Sequence, residues 1–121
     1  MKITKASIES AAVGIAPYIH NTPIMTNKSI NERYGLDLYF KCEHFQKIGA
    51  FKIRGGMNAS LQLTPEQLSK GLATHSSGNH AQALAFAAKT ASKIFLELPE
   101  VEIAIKISPD LALASIWRAK I

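Results

Sequence analysis

An α/β fold with a mostly parallel sheet is the class this sequence predicts. Two short strand-like stretches, Leu36–Cys42 and Lys93–Leu98, are interleaved with segments whose apolar residues recur at helical spacing. The chain has 121 residues and is 47% hydrophobic, enough for one domain to bury a core. Its 19% charged residues include no long polar tract, which argues against disorder.

Each element has a local reason. Ile8, Ala11, Ala12, Ile15 and Ile19 lie at helical spacing behind Ser7 as N-cap, and Pro17 and the Asn21-Thr22-Pro23 turn close that helix. Asn27 to Tyr34 predicts a short helix stopped by Gly35. Leu36 to Cys42 alternates like a strand with one buried face, and residues 43–50 are a loop. Helical spacing resumes near Phe51 and runs towards Leu63. Thr64 then caps a helix that has Pro65 at its first position and Gly71 as its stop. Leu72-Ala73-Thr74 is a short apolar approach to Ser76-Ser77-Gly78-Asn79, and Ala81 to Ala88 is apolar all round, as in a buried helix. Lys93 to Leu98 reads as a strand, and Ser108-Pro109-Asp110 caps a last helix carrying Leu111, Leu113, Ile116 and Trp117. There is no internal repeat.

Composition excludes several function classes. The net charge is +5, and the basic residues (Lys2, Lys5, Lys28, Arg33, Lys41, Lys47, Lys52, Arg54) are scattered. Without clustering or aromatic interleaving they argue against a nucleic-acid surface. An anionic small ligand explains the mild excess, and so does a solvated surface. Cys42 is the only cysteine, so no internal disulfide is expected and a reducing compartment fits. No signal peptide is evident, and no stretch approaches the roughly 20 apolar residues that cross a bilayer. The expectation is a cytoplasmic protein with no membrane partner.

Chemistry concentrates in two places. Phe51-Lys52-Ile53-Arg54-Gly55-Gly56 puts a lysine at a helix start, after an aromatic residue and before paired glycines. A free lysine has a pKa of about 10.4 and is a poor nucleophile at neutral pH. Burial or a neighbouring cation such as Arg54 would favour the neutral amine that imine formation needs. The paired glycines would let a bulky planar group approach the backbone. A solvated lysine is the competing reading. Thr74-His75-Ser76-Ser77-Gly78-Asn79-His80 lies between a strand and a helix, where unpaired N–H groups and the helix dipole favour a carboxylate or phosphate. An ordinary helix cap uses the same residues. His75 and His80 are five apart and off one helical face, so with only Cys42 and His44 nearby no metal site is expected. No nucleophile-elbow pattern surrounds Ser76 or Ser77.

Together the two stretches are far more specific. Residues 40–59, from Phe40-Lys41-Cys42-Glu43-His44-Phe45-Gln46 through Phe51-Lys52-Ile53-Arg54-Gly55-Gly56 to Ala59, resemble the cofactor-lysine segment of the fold-type II pyridoxal-phosphate enzymes. Residues 74–84 resemble the substrate-carboxylate loop of the same family, and their order matches. The resemblance is to the serine racemase/threonine dehydratase branch and covers residues 1–89. It implies a partial three-layer parallel-sheet α/β fold, pyridoxal 5'-phosphate as cofactor and a small amino acid as substrate. It further implies that Lys52 holds the cofactor as a Schiff base, that Phe51 lies near the pyridine ring, and that Asn79 bonds the ring hydroxyl. Ser76, Asn79 and the backbone at His80 would hold the substrate carboxylate. Ser77, beside that site, would exchange a proton on the face opposite Lys52. A serine at 77 is similar to the serine racemase branch, where many threonine deaminases have alanine.

The pattern also departs from the family. A glycine-rich loop farther along anchors the cofactor phosphate there, whereas the glycines here are at 14, 35, 49, 55, 56, 71 and 78, none in such a loop. Residues 90–121 only faintly echo the family layout and read as a diverged tail. The expectation is therefore an incomplete N-terminal part of a catalytic domain over residues 1–121. Its lineage performs β-elimination or racemisation on L-serine or L-threonine, and this chain is inactive by itself. A full-length relative would be a homodimer. The alternatives are a non-catalytic interaction or regulatory module and a small anion-binding module using only the Ser76–Asn79 turn.

Overall fold

The structure, a computed structural model, describes residues 2–95 and 104–106. Helix α1 (Lys5–Ile15) begins at Thr4, whose hydroxyl accepts from the Ser7 amide while the Ser7 hydroxyl accepts from the Thr4 amide. Ser7 thus closes the capping box from inside the helix instead of being the cap. Pro17 lies in a 3-10 turn over Ala16–Tyr18, so the α-helix ends before Ile19. Helix α2 (Lys28–Tyr34) follows the expectation at both ends. The Asn27 side chain accepts from Ile30 N–H, and Gly35 ends it with φ 62°, a conformation costly for any residue with a Cβ.

Two small sheets accompany the helices. Strands β1 (Ile24–Met25) and β2 (Phe40–Lys41) pair antiparallel, Ile24 opposite Lys41 and Met25 opposite Phe40. The predicted strand over Leu36–Cys42 is therefore trimmed to two residues, because alternation shows which face is buried but not how far a partner extends. Strands β3 (Ala73–His75) and β4 (Ala104–Lys106) pair in parallel. The predicted strand from Lys93 is corrected: Lys93–Phe95 form the end of a helix, and the rest of that stretch, like the predicted last helix, lies outside the described residues.

The core lies between α1, α3 (Lys52–Leu61) and α5 (Asn79–Phe95), with Ile15, Ile53, Met57, Ala83 and Ala87 buried together. Helix α4 (Pro65–Ser69) starts in a capping box between Thr64 and Gln67 and packs Leu68 towards α5. Along α5, Ala81, Ala83, Ala87, Ala88, Ala91 and Ser92 are buried while Gln82 is exposed, so burial is extensive without being complete all round.

The paired glycines serve packing instead of ligand approach. A Cβ on Gly56 would lie 3.2 Å from the Ala83 carbonyl oxygen and 3.4 Å from the Ala83 Cβ, so its absence sets the distance between α3 and α5. Gly55, its neighbour, faces open space. Gly56→Val should destabilise the chain by about 2 kcal/mol through overpacking, while Gly55→Ala should stabilise it by about 0.5–1 kcal/mol through reduced chain entropy. Thermal unfolding of the two variants should shift in opposite directions.

Candidate active site

Lys52 is the first residue of α3 and is exposed. Phe51 immediately precedes that helix with 61% of its surface accessible. Strand β3 ends at His75, and α5 begins at Asn79, so Ser76-Ser77-Gly78 is a strand-to-helix turn, as the sequence predicts. The Ser76 hydroxyl accepts a long 3.4 Å hydrogen bond from the Gly78 amide and so helps close the turn. Ser77, Asn79 and His80 are exposed. Among the described residues, the Lys52 ammonium, Ser77 hydroxyl and Asn79 carboxamide have no hydrogen-bond or ion-pair partner.

Helix packing connects the two segments. Gly56 is four residues beyond Lys52, and Ala83 is four residues beyond Asn79. Each helix start thus lies about one turn, roughly 6 Å along its own axis, from the Gly56–Ala83 contact. The turn after β3 also occupies the carboxyl end of a parallel strand, where open α/β sheets place ligands.

Arg54 does not act as a free cation beside Lys52. Its Nε donates to Glu43 Oε2 at 2.8 Å and its Nη2 to Glu43 Oε1 at 2.7 Å, a two-pronged ion pair. Thr22 Oγ1 donates to the same carboxylate at 2.6 Å, and the Lys41 ammonium donates to the Thr22 carbonyl oxygen. The hydrogen bonds from Arg54 hold Glu43 at about 2, below its ordinary 4.5, against partial desolvation; Thr22 and the charges of Arg54 and Lys41 add to the lowering. Arg54 is correspondingly raised. Lys52 is also exposed, so neither burial nor an unpaired Arg54 surrounds its amine in the expected way.

Sequence reasoning assigned no role to Thr22, Glu43, Gln46 or His20. One signal was available: Glu43 is the only carboxylate between Asp37 and Glu66, amid Lys41, Lys47, Lys52 and Arg54. A partner among those cations was to be expected, but a separation of 11 residues across a loop leaves its identity open.

A primary amine, an accessible aromatic ring, a carboxamide and a free hydroxyl at two helix starts form a donor set suited to an aldehyde cofactor and an amino-acid carboxylate. The comparisons agree. The chain matches the pyridoxal-phosphate dependent enzymes over residues 15–113 and belongs to that family. It is similar to the serine racemase of Dictyostelium discoideum, with 49% identity over 107 residues, 88% of this chain and 33% of that protein. A solved structure of serine racemase from the same organism superposes with a TM-score of 0.77 at 46% identity, covering 90% of this chain and 33% of the other. The L-threo-3-hydroxyaspartate ammonia-lyase of Saccharomyces cerevisiae is 42% identical over 87% of this chain and 32% of its own length. A solved bacterial-strain threonine deaminase, from T.th., has a TM-score of 0.65 at 41% identity, over 73% of this chain and 31% of that one. The chain thus spans a third or less of the length of the relatives it matches. It has the α/β fold of the fold-type II enzymes in part and stands in their racemase and dehydratase lineage, for which pyridoxal 5'-phosphate is the cofactor. Among the described residues, no helix is long and apolar enough to cross a membrane.

The Glu43 ion pair makes stability depend on acid. A carboxyl group lowered in the folded state contributes fully above pH 4.5, and that contribution disappears as pH falls towards about 2. The Glu43 side chain is only 19% exposed but Arg54 is 33% exposed, so screening reduces the effect to about 1–3 kcal/mol. Unfolding midpoints measured from pH 6 to pH 2 should fall less steeply for Glu43→Gln than for the parent chain.

Proposed function

We propose that this chain carries the lysine and carboxylate-loop portion of a pyridoxal-phosphate enzyme acting on L-serine or L-threonine, by β-elimination to a 2-oxo acid and ammonia or by racemisation. The observation that carries the reading is the pair of helix starts, Lys52 on α3 and Asn79 on α5, each one turn from the contact that joins the helices. Pyridoxal phosphate, when bound, supplies a sink for negative charge developing at a substrate's α-carbon. Lys52 would hold the cofactor through its amine and move the α-proton on its own face. Phe51 would flank the ring, and Asn79 would donate to the ring hydroxyl. Ser76, Asn79 and the His80 backbone would bind the substrate carboxylate. Ser77 would hold a proton on the opposite face, a role its unpartnered hydroxyl suits; Ser76, tied to Gly78, suits binding instead.

Residues 1–121 are read as part of a catalytic domain, family-like over 1–89 and diverged over 90–121, with a homodimer for a full-length counterpart in the cytoplasm. By itself the chain lacks the glycine-rich phosphate anchor. Losing charge-assisted hydrogen bonds worth about 1.5–3 kcal/mol each would weaken cofactor affinity by orders of magnitude. That absence also favours a second reading, a non-catalytic interaction or regulatory module.

Borohydride reduction of the chain with pyridoxal phosphate, followed by peptide mapping, should place the label on Lys52 and lose it in Lys52→Ala. Label spread evenly over the surface lysines would refute the assignment. Cofactor titration should show weak binding and no measurable serine turnover, and tight binding would contradict the missing anchor.

A further inference from the structure

The loop leading into Lys52 is tied to distant chain at two separate points. Gln46, only 3% exposed, accepts from the His20 amide at 2.7 Å and from the Lys47 amide at 2.9 Å, and its Nε2 donates to the His20 carbonyl at 2.7 Å. One carboxamide therefore pairs with both backbone groups of His20, as a neighbouring strand would, across 26 residues of sequence. The His20 ring adds a 3.0 Å contact from Nδ1 to the Phe45 carbonyl. The second tie is Glu43 with Arg54 and Thr22.

Lys52 lies between these ties, six residues after Gln46 and two before Arg54. The intervening backbone is unusual. Ile48 has φ 63°, the only non-glycine residue with positive φ among the described residues, and Gly49 follows with φ 66°. The Gly49 amide donates to the Gln46 carbonyl at 2.8 Å, closing a tight turn around Ile48. A β-branched residue adopts that conformation only when its surroundings hold it there. Ile48 packs against the Ile53–Met57 core, and Gln46 fixes the other end of the turn.

We infer that Gln46 and the Glu43–Arg54 pair form a clamp that fixes the path of residues 47–51 and thereby aims Lys52; they are positioning residues and do not themselves react. The inference rests on the assignment of Lys52 as the cofactor lysine. Gln46→Glu tests it with almost no change of shape, because it turns the donor facing the His20 carbonyl into an acceptor. Leu68→Ala, in α4, removes a fully buried side chain outside the clamp and controls for lost stability.

Two readouts on the 121-residue chain separate the possibilities: the share of borohydride-trapped pyridoxal phosphate found at Lys52, and amide hydrogen exchange over residues 47–52 without cofactor. Gln46→Glu should cut the Lys52 share and speed exchange, each by about tenfold, as expected for an unmet buried hydrogen bond. Leu68→Ala, compared at equal distance below its own melting temperature, should change neither. Unchanged behaviour in Gln46→Glu, or the same losses in Leu68→Ala, overturns the clamp. If the parent chain labels Lys52 no more than other lysines, the functional assignment fails and exchange alone decides: faster exchange confined to Gln46→Glu upholds the clamp, and equal exchange ends it. Should Gln46→Glu fail to fold, Glu43→Gln is read by the same two measurements.

Discussion

Gly56 meets the backbone of Ala83 with no side chain between them, and that contact determines where the two site-bearing helix starts can lie. Helices normally pack about 8–10 Å apart, the distance depending on the residues at the crossing. Here a glycine faces an alanine, which puts the crossing at the close end of that range. Ile53 and Met57 on α3 and Ala87 on α5 then fill the space on either side. Moving the crossing outward by one side chain would shift Lys52 relative to Asn79, and misplacement of about 1 Å at a reacting centre can cost roughly 10²-fold in rate. A helix-interior glycine normally costs stability, so Gly56 exchanges local helix propensity for the spacing of the site.

Polar groups fix what that contact leaves free. Helix packing locates the first residue of α3 but not the loop that enters it. Residues 43–50 contain two short 3-10 turns and no sheet pairing of their own. Gln46 and Thr22 are buried polar side chains, and each has its hydrogen bonds made within the chain. The carboxylate of Glu43 is shared between Arg54 and Thr22, so removing any one member leaves a partner partly desolvated and unpaired. Such groups are costlier to break than their net contribution suggests.

What was legible in the sequence follows from how local each interaction is. Asn27 with Gly35, and Thr64 with Gln67, announce helix ends because their partners lie within a turn. The Phe51–Gly56 and Thr74–His80 stretches were legible as site segments because each is contiguous. Strand extent was not: Leu36–Cys42 alternates throughout, yet only Phe40 and Lys41 find partners, on a strand that precedes α2. Ile94 and Phe95 look strand-like, but the continuing hydrogen bonds of α5 outweigh the β preference of a short apolar run. The role of Gly56 and the pairing of Arg54 with Glu43 both needed the third dimension, because each depends on which distant residue packs opposite.

The distribution of side-chain size explains why polar ties matter so much here. Five alanines of α5 are buried, while Ile24, Met25, Tyr39, Phe40 and Phe51 are more than a third exposed. An alanine brings one methyl group to the core; a leucine or isoleucine brings three more carbons, at about 0.8 kcal/mol for each buried CH₂. Small interior residues therefore give close, well-defined helix contacts with little hydrophobic free energy behind them. Ile53, Met57 and Leu68 are the large apolar side chains fully enclosed among the described residues. With so little apolar mass holding α3, a directional network at its first turn contributes a larger fraction of the local rigidity than it would beside a leucine-rich core. The precision with which Lys52 is held is thus governed less by the amount of surface buried than by whether Gln46, Glu43 and Arg54 keep their partners.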